Sequence, residues 1–557
     1  MGQQWLILGP PGTGKTTWIQ RHARQAIAKR GPARVLFASF SRAAAAELRA
    51  RDITPRADRV GTLHALGYRL LGCPPIAETL LAAWNTYCAE QGEPRWRFTR
   101  APADPLDEGA ADTVAGLEGA SDTQGDELYT LCMALRHRCV PVARWPEPVQ
   151  VFWQLWTRFK QQQGAIDFTD MIALPLAQRL CLPSEIEVGY FDEAQDMSKL
   201  EFQLAQFWGE PMEYYFIVGD PDQSIYEFRG AAPTNFIERL PPPEQRHLLA
   251  QSYRVPRAVH ALATRWLRAG AASPVPYTYQ PRDAEGFVRC LPPQAPPEAT
   301  MLVADATERY LAQGQTVMFL APCGYQLWPL LRALREQGVP YHNPYRRTRG
   351  DWNPLQATRG VSTVTRLGAL LTGRERGGWT GRELQLWTPL LRQRGVWQPE
   401  GQAALAQLHP EEHYPWSRVA TWLTPAVQAV LADPTGLGAL EHYTRKAVTP
   451  QVQYLLRVWA RGGRRAAALT APPQVIVGTI HSVKGGEADV VYLDTALSPA
   501  GWRTWQDPAA AVRAQVVRQF YVALTRAREG VILYQGSPPS VFAPLLDVYQ
   551  ATREGAA

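Results

Sequence analysis

Gly9-Pro10-Pro11-Gly12-Thr13-Gly14-Lys15-Thr16 places a glycine-rich turn, a lysine and a hydroxyl directly after the apolar run Trp5-Leu6-Ile7-Leu8. Such glycines let successive backbone N–H groups turn inward around phosphate oxygens, and a helix starting behind them adds the positive end of its dipole. Gly9, Gly12, Thr13, Gly14, Lys15, Thr16 and Thr17 are therefore expected to hold a nucleoside triphosphate. Lys15 reaches the β- and γ-phosphates and the Thr16 hydroxyl ligates Mg²⁺. Asp192-Glu193-Ala194-Gln195-Asp196 follows a second apolar run, Val188-Gly189-Tyr190-Phe191. There Asp192 is placed to hold Mg²⁺, and Glu193 to act on the water that attacks the γ-phosphate. A third stretch, Gly219 to Ala231, carries Gln223, an amide able to sense the γ-phosphate. It is followed by Tyr226, Phe228 and Arg229, which offer flat faces and a cation for stacked bases and phosphate.

These groups need a frame that ends several strands side by side. Residues 34–40, 187–191 and 214–218 read as strands, with helical sequence between them. A later set appears at 316–320, 474–477, 490–493 and 531–534. Strands alternating with helices predict parallel, doubly wound sheets with their chemistry at the strand C-terminal ends. Ser41 to Arg51, rich in alanine, reads as a helix. Residues 101–135 lack lysine and carry many carboxylates, which predicts an acidic loop that stays away from polyanions.

With 557 residues, 46% hydrophobic and 20% charged, the chain has the composition of a globular protein of several domains. No apolar stretch is long enough to span a bilayer, and no signal-peptide layout is present, so a cytoplasmic setting is expected. The seven cysteines form no C-x-x-C pair, which argues against a zinc ribbon or a disulfide framework. The formal net charge of +7 fits a polyanionic partner only weakly, because arginine-rich composition has other causes. Only six lysines occur, and Lys15 and Lys484 both fall inside motifs.

Taken in order from Gly9 to Arg528, the motifs resemble those of superfamily 1 DNA helicases of the UvrD/Rep group. The resemblance implies an α/β fold of two RecA-like parallel-sheet motor domains, each interrupted by a mainly helical inserted subdomain. By it, Phe40-Ser41-Arg42 and Gly61-Thr62-Leu63-His64 correspond to single-strand contact motifs, with Phe40, Ser41 and His64 as DNA contacts. Asp167-Phe168-Thr169-Asp170 resembles the short element before the Asp192 strand. In Gln251-Ser252-Tyr253-Arg254, Tyr253 stacks on adenine and Arg254 reaches the γ-phosphate. In the run from Gly478 to Glu487, Thr479 and His481 touch DNA and Glu487 meets the ribose. Arg526, in Thr525-Arg526-Ala527-Arg528, corresponds to an arginine finger. Physical reasoning supports two domains sharing the site. Charge spread over γ-phosphate oxygens is stabilised by cations delivered only when a cleft closes, and Arg254 and Arg526 lie far along the chain from Lys15.

The expected division is 1–71 with 166–240 for the first motor domain and 72–165 for its insertion. The second motor domain takes 241–349 with 466–557, and its insertion 350–465. Ser252, Val255 and Gly486 depart from the family pattern. None of residues 1–8 is expected to serve as the adenine-recognition glutamine usual upstream of the phosphate loop, and no nuclease segment is expected after Arg528. Arg346-Arg347 and residues 461–465 are candidates for touching duplex phosphates. The implied function is an ATP-dependent DNA helicase moving 3′→5′ on single-stranded DNA, using ATP and Mg²⁺. Single-strand/duplex junctions and repair, replication or recombination proteins are the implied partners. Two alternatives stand beside it: a translocase that displaces proteins with little unwinding, and a nucleotide-gated DNA-binding module.

Overall fold

The computed structural model describes residues 2–39, 56–99, 123–231, 233–237, 240–270, 277–292, 297–346, 350–356, 360–433, 436–536 and 542–554. The expected helix from Ser41 to Arg51, the contacts assigned to Phe40 and Ser41, the acidic stretch up to residue 122, and Arg347 lie outside the described residues, as does the Phe228 side chain.

Six parallel strands form a first sheet. In chain order they are β1 (Gln3–Leu8), β2 (Val35–Ser39), β3 (Val60–Thr62), β4 (Val188–Asp192), β5 (Tyr214–Gly219) and β6 (Arg246–Leu248), laid out β3-β2-β4-β5-β1-β6. A short parallel pair, β7 (Gln251–Pro256) and β8 (Gln280–Arg282), comes next. The second sheet is built from β9 (Phe287–Cys290), β10 (Val317–Ala321), β11 (Tyr341–His342), β14 (Val475–Thr479), β15 (Ala488–Asp494) and β16 (Ala527–Tyr534), ordered β11-β14-β10-β15-β16-β9 and again parallel. An antiparallel pair, β12 (Gly378–Thr380) with β13 (His413–Pro415), lies in the segment between β11 and β14.

Both faces of these sheets are covered, and the two-residue repeat of a strand sorts its side chains accordingly. In the first sheet Leu6, Leu36, Phe191 and Ile217 share one core, whereas Ile7, Phe37, Tyr190 and Phe216 share the other. In the second, Phe319, Val477 and Tyr492 face one way, and Leu320, Ile476 and Leu493 face the other. Each such fully buried side chain contributes about 1.5–3 kcal/mol. The central strands expected from the sequence are present, while β3, β6, β9 and β11 are edge or near-edge strands of two to four residues, too short to show a period.

Residues between β3 and β4 form a helical body with its own aromatic core of Trp84, Phe98, Phe152, Trp156 and Phe159. Its helix Glu147–Gln163 repeats apolar residues at Val149, Phe152, Trp156 and Phe159, and stops at Gly164 in the left-handed region (φ 57°). This body is tied to the sheet by buried charges. Arg136 binds Asp167 at 2.8 Å and Asp170 at 2.6 Å, and Lys160 meets both carboxylates. The Asp167-Phe168-Thr169-Asp170 element is thus an anchor, and removing one partner of so buried a set costs about 3–5 kcal/mol. Burial, then the Asp167 charge, pushes the neighbouring Glu78 carboxyl up to about 8.

The residues inserted between β11 and β14 pack differently. Leu370, Trp379, Trp387, Leu455 and Trp459 belong to the same continuous core as Phe319 and Tyr492 of the second sheet. Among the described residues no helix is long and apolar enough to cross a membrane.

Candidate nucleotide site and inter-sheet seam

The phosphate loop leaves β1 at Leu8, beside the end of β5, where the Gly9 N–H donates to the Gly219 carbonyl at 3.0 Å. Gly12 and Gly14 adopt φ 72° and 81°, and the helix Lys15–Arg30 begins without any side-chain cap. Its first N–H groups are thereby left to a ligand. Lys15 folds back so that Nζ donates to the Gly9 carbonyl at 2.7 Å. Thr16 stands beside it, and Thr17 is exposed.

Asp192 ends β4 and is buried; its Oδ1 accepts the Glu193 N–H at 2.9 Å. Glu193 occupies the left-handed region (φ 54°, ψ 38°), a strained position for a side chain of this size, costing roughly 1–3 kcal/mol. Gln195 Nε2 donates to its carboxylate. Burial alone raises the Glu193 carboxyl, but Lys15, Lys484, the Gln195 hydrogen bond and Arg526 outweigh it and hold the group below the usual carboxylate range. It stays ionised at neutral pH.

Beyond β5, Asp220 accepts from Gln223 Nε2 at 2.5 Å, and its own N–H donates to Gln195 Oε1 at 3.0 Å. The loop after β4 and the loop after β5 are thus locked to each other.

The short β7–β8 pair and the second sheet reach this site from the opposite side. On β7, Ser252 Oγ donates to the Pro11 carbonyl and the Tyr253 N–H to the Gly12 carbonyl, both at 2.8 Å. The approach requires glycine, since a Cβ at Gly12 would stand 2.4 Å from Arg254 Cβ. Tyr253 itself is 73% exposed, with its ring open beside the phosphate loop. Arg254 Nε donates to Glu487 Oε2 at 2.6 Å, and Arg528 lies 3.0 Å from the other oxygen of the same carboxylate. Arg526, in the turn before β16, is buried. It donates through Nη2 to Gln223 Oε1 at 2.9 Å, through Nη1 to the Gly486 carbonyl at 3.2 Å and through Nε to the Val522 carbonyl at 2.9 Å. Burial, then the nearby Arg254, pulls its guanidinium down to about 9, still charged at pH 7.

Lys15, Glu193, Gln223, Arg254, Glu487 and Arg526 are therefore gathered around one cleft between the two sheets. The residues expected to touch DNA are placed otherwise. Tyr226 is buried within the core of the second sheet, its hydroxyl donating to the His481 carbonyl at 3.3 Å and its ring lying 5.2 Å from Lys484 Nζ. His481 is partly buried, with Nε2 3.2 Å from the Ile225 carbonyl, and burial chiefly takes its imidazole down to about 4. Thr479 is 1% exposed. His64 is 3% exposed and lies 3.7 Å from the Glu201 carboxylate. In this closed arrangement Tyr226, Thr479, His481 and His64 serve packing and cross-sheet contact, not an open stacking face. Local sequence does not distinguish an aromatic that enters a neighbouring core from one that meets a ligand. Arg229 is half-buried, its guanidinium 5.9 Å from the Tyr226 ring centre.

Three further contacts across the seam involve residues to which the sequence assigns no role. Lys484 Nζ binds Asp196 and donates to the Gln223 carbonyl at 2.6 Å, Arg518 pairs with Glu227, and Ser252 caps the phosphate loop. For Lys484 the sequence signals are the scarcity of lysine and its place in the run from Gly478 to Glu487.

Paired parallel sheets with a phosphate loop on one and converging arginines on the other define a P-loop protein of the two-domain RecA-like class. Residues 2–229 match the family model described as an AAA domain. The chain is similar to YjcD of Bacillus subtilis strain 168, at 25% identity over 55% of this chain and 42% of that protein. It is also similar to PcrA of Leuconostoc citreum, at 26% over 45% of this chain and 35% of the relative, and to UvrD2 of Mycobacterium tuberculosis, at 25% over 47% and 41%. The latter two are named as ATP-dependent DNA helicases. The chain spans about two fifths of the length of these relatives. In fold, motif order and sequence the chain is similar to the UvrD/Rep-like superfamily 1 helicases.

Proposed function

We propose that this chain is an ATP-dependent DNA helicase that moves 3′→5′ along single-stranded DNA and opens duplex at single-strand/duplex junctions. The observation that carries the reading is the hydrogen bond from Arg526 Nη2 to Gln223 Oε1, which puts a cation of the second sheet on the proposed phosphate sensor of the first. Cleft closure and the loop bearing Tyr226, Phe228 and Arg229 are then one mechanical unit.

In this reading Gly9, Gly12, Thr13, Gly14, Lys15 and Thr17 bind the triphosphate, Tyr253 stacks on its base and Glu487 meets its ribose. The hydroxyl of Thr16 and the carboxylate of Asp192 are hard oxygen donors that suit Mg²⁺ and would hold it. A divalent ion held by Thr16 and Asp192 would supply charge neutralisation at the phosphate oxygens. Glu193, ionised, takes the proton of the attacking water, while Gln223, Arg254 and Arg526 meet the charge that spreads over the γ-phosphate. Loss of that charge releases the arginines and lets the sheets part. Each cycle of closing and opening moves the chain along a strand held on both sheets, with Phe40, Ser41, Phe228 and Arg229 as the proposed track and His64, Tyr226, Thr479 and His481 reaching it only if the packed arrangement opens. Breaking one base-pair step costs about 1.4 kcal/mol on average, a modest load per turnover. The working compartment is the cytoplasm, beside repair, replication or recombination proteins.

A second reading, a translocase that displaces proteins with little unwinding, draws on the β11–β14 insertion. Because its core is continuous with that of the second sheet, it has little freedom to swing onto a duplex as a separate body. ATPase assays with and without single-stranded DNA, unwinding of 3′- and 5′-tailed duplexes, and streptavidin displacement from a single strand separate these readings. Hydrolysis unaffected by DNA would sink both and leave a nucleotide-gated binding module.

A further inference from the structure

Gly486, where the family pattern has a larger apolar residue, is occupied from outside by Tyr345. A Cβ built on Gly486 would stand 2.5 Å from the Tyr345 hydroxyl oxygen and 2.8 Å from its Cε2 and Cζ, so the phenol ring rests directly on this backbone. The same residue's carbonyl is one of four acceptors that hold Arg526, with Gln223 Oε1, the Val522 carbonyl and Thr525 Oγ1. Tyr345 is itself fixed from two sides. Its N–H donates to Asn343 Oδ1 at 3.1 Å, and the fully buried Asn343 donates through Nδ2 to Ser482 Oγ at 3.1 Å and to the Val477 carbonyl at 3.2 Å. Asn353 Oδ1 accepts the Asn343 N–H at 2.9 Å from the other side. The turn at 343–346 is therefore clamped to the loop after β14, with the ring pressed on the peptide that receives the guanidinium.

We propose that Tyr345 is a positioning residue for Arg526, acting through Gly486. Of the guanidinium's partners, Gln223 is the one a phosphate would displace, since Nη2 must turn from the amide to the ligand. The Val522 carbonyl lies in the helix that precedes Arg526, and the Thr525 hydroxyl at that helix's end, so both move with the arginine's own segment. The Gly486 carbonyl is thus the fixed point outside that segment that aims Nη1 and Nη2 into the cleft, and Tyr345 presses on its peptide beside the 2.9 Å hydrogen bond from the Gly486 N–H to the Val483 carbonyl. A guanidinium this deeply buried depends on every acceptor it has.

The inference rests on the proposed hydrolysis, and two readouts on the full-length protein keep the two separable. DNA-stimulated turnover reads the function. The ratio of affinities for ADP with aluminium fluoride and for ADP alone reads the aim of Arg526. Tyr345→Ala should lower kcat by about 10-fold or more with KM for ATP nearly unchanged, the pattern of an interaction made only in the transition state. It should weaken aluminium fluoride–ADP binding by a similar factor and leave ADP binding alone. Tyr345→Phe keeps the ring and should retain both. Gly486→Ala, which pushes the ring off, should reproduce the loss with Tyr345 intact, and the double variant should lose no more than either alone. Unchanged analogue-to-ADP ratios in Tyr345→Ala and Gly486→Ala, equal losses of ADP and analogue binding, or additive losses in the double variant would each overturn the assignment.

Discussion

Lys484 Nζ donates to Asp196 Oδ1 at 2.6 Å, joining the loop after β14 in the second sheet to the turn after β4 in the first. Asp196 is 2% exposed, and burial, opposed by Lys484, sets its carboxyl at about 6. The ion pair that closes the seam is thus fully formed only above that pH. DNA-stimulated hydrolysis should fall as pH drops through about 6, and Asp196→Asn should flatten that limb. Stability should run the other way for this group. A carboxyl raised in the folded state contributes stability that is complete below its unfolded value near 4 and is lost as pH rises through about 6. Thermal unfolding of wild type and Asp196→Asn across pH 4–7 checks the sign. An activity limb that persists in the variant would assign it to another group.

Arg526→Ala should lower kcat by on the order of 10³-fold or more. Nucleotide affinity should change far less, because Lys15 and the phosphate loop are untouched. Arg526→Lys should rescue little, since one ammonium cannot replace a planar fork that serves Gln223, Gly486 and Val522 at once. Single-turnover hydrolysis with saturating DNA measures both variants, and a lysine variant near wild type would show that charge alone suffices.

Much of this arrangement is legible in sequence, for a local reason. A strand followed by a glycine loop and a helix is a contiguous pattern, so Lys15 and Thr16 can be found by spacing alone. The runs ending at Phe191 and Val218 are buried on both faces and stay apolar throughout, so β4 and β5 can be read. What cannot be read is set by residues far apart in the chain. Ser252 closes on Pro11 across 241 positions, and Tyr345 fills the space that Gly486 leaves. The left-handed backbone of Glu193 has no signature in composition. His64 and Tyr226 carry side chains equally suited to a ligand or a core, and only their neighbours Glu201 and His481 decide where they sit.

Tyr253 and His64 should separate sharply when each is changed to alanine. Tyr253 is mostly exposed and makes its structural contact through the backbone, so Tyr253→Ala should alter stability by no more than about 0.5 kcal/mol. It should raise KM for ATP by roughly 5- to 150-fold, the equivalent of about 1–3 kcal/mol of base stacking. His64→Ala instead removes a buried group packed beside Glu201 and should cost on the order of 1–3 kcal/mol of stability. Thermal unfolding with ATPase titrations settles the pair. A His64→Ala protein of unchanged stability but weakened single-strand binding would restore His64 as a DNA contact.

Glu193→Gln should lower turnover by about 10²–10⁴-fold, the range of a lost general base. The substitution keeps the side-chain shape but removes the one ionised carboxylate that Lys15, Lys484 and Arg526 jointly hold below its usual range. Those cations then face the triphosphate without competition, so a non-hydrolysable ATP analogue should bind as tightly as in wild type or more tightly. Lys15→Ala should lose turnover together with affinity, because its ammonium is the group the phosphates displace from the Gly9 carbonyl. Equilibrium binding and DNA-stimulated hydrolysis on both variants test the contrast. Near-normal hydrolysis in Glu193→Gln would move the base elsewhere, and Asp196 would be the first residue to examine. Among the carboxylates of the Asp192–Asp196 turn it is the one bound directly by Lys484, and its titration near 6 would then appear as the pH dependence of the chemical step itself.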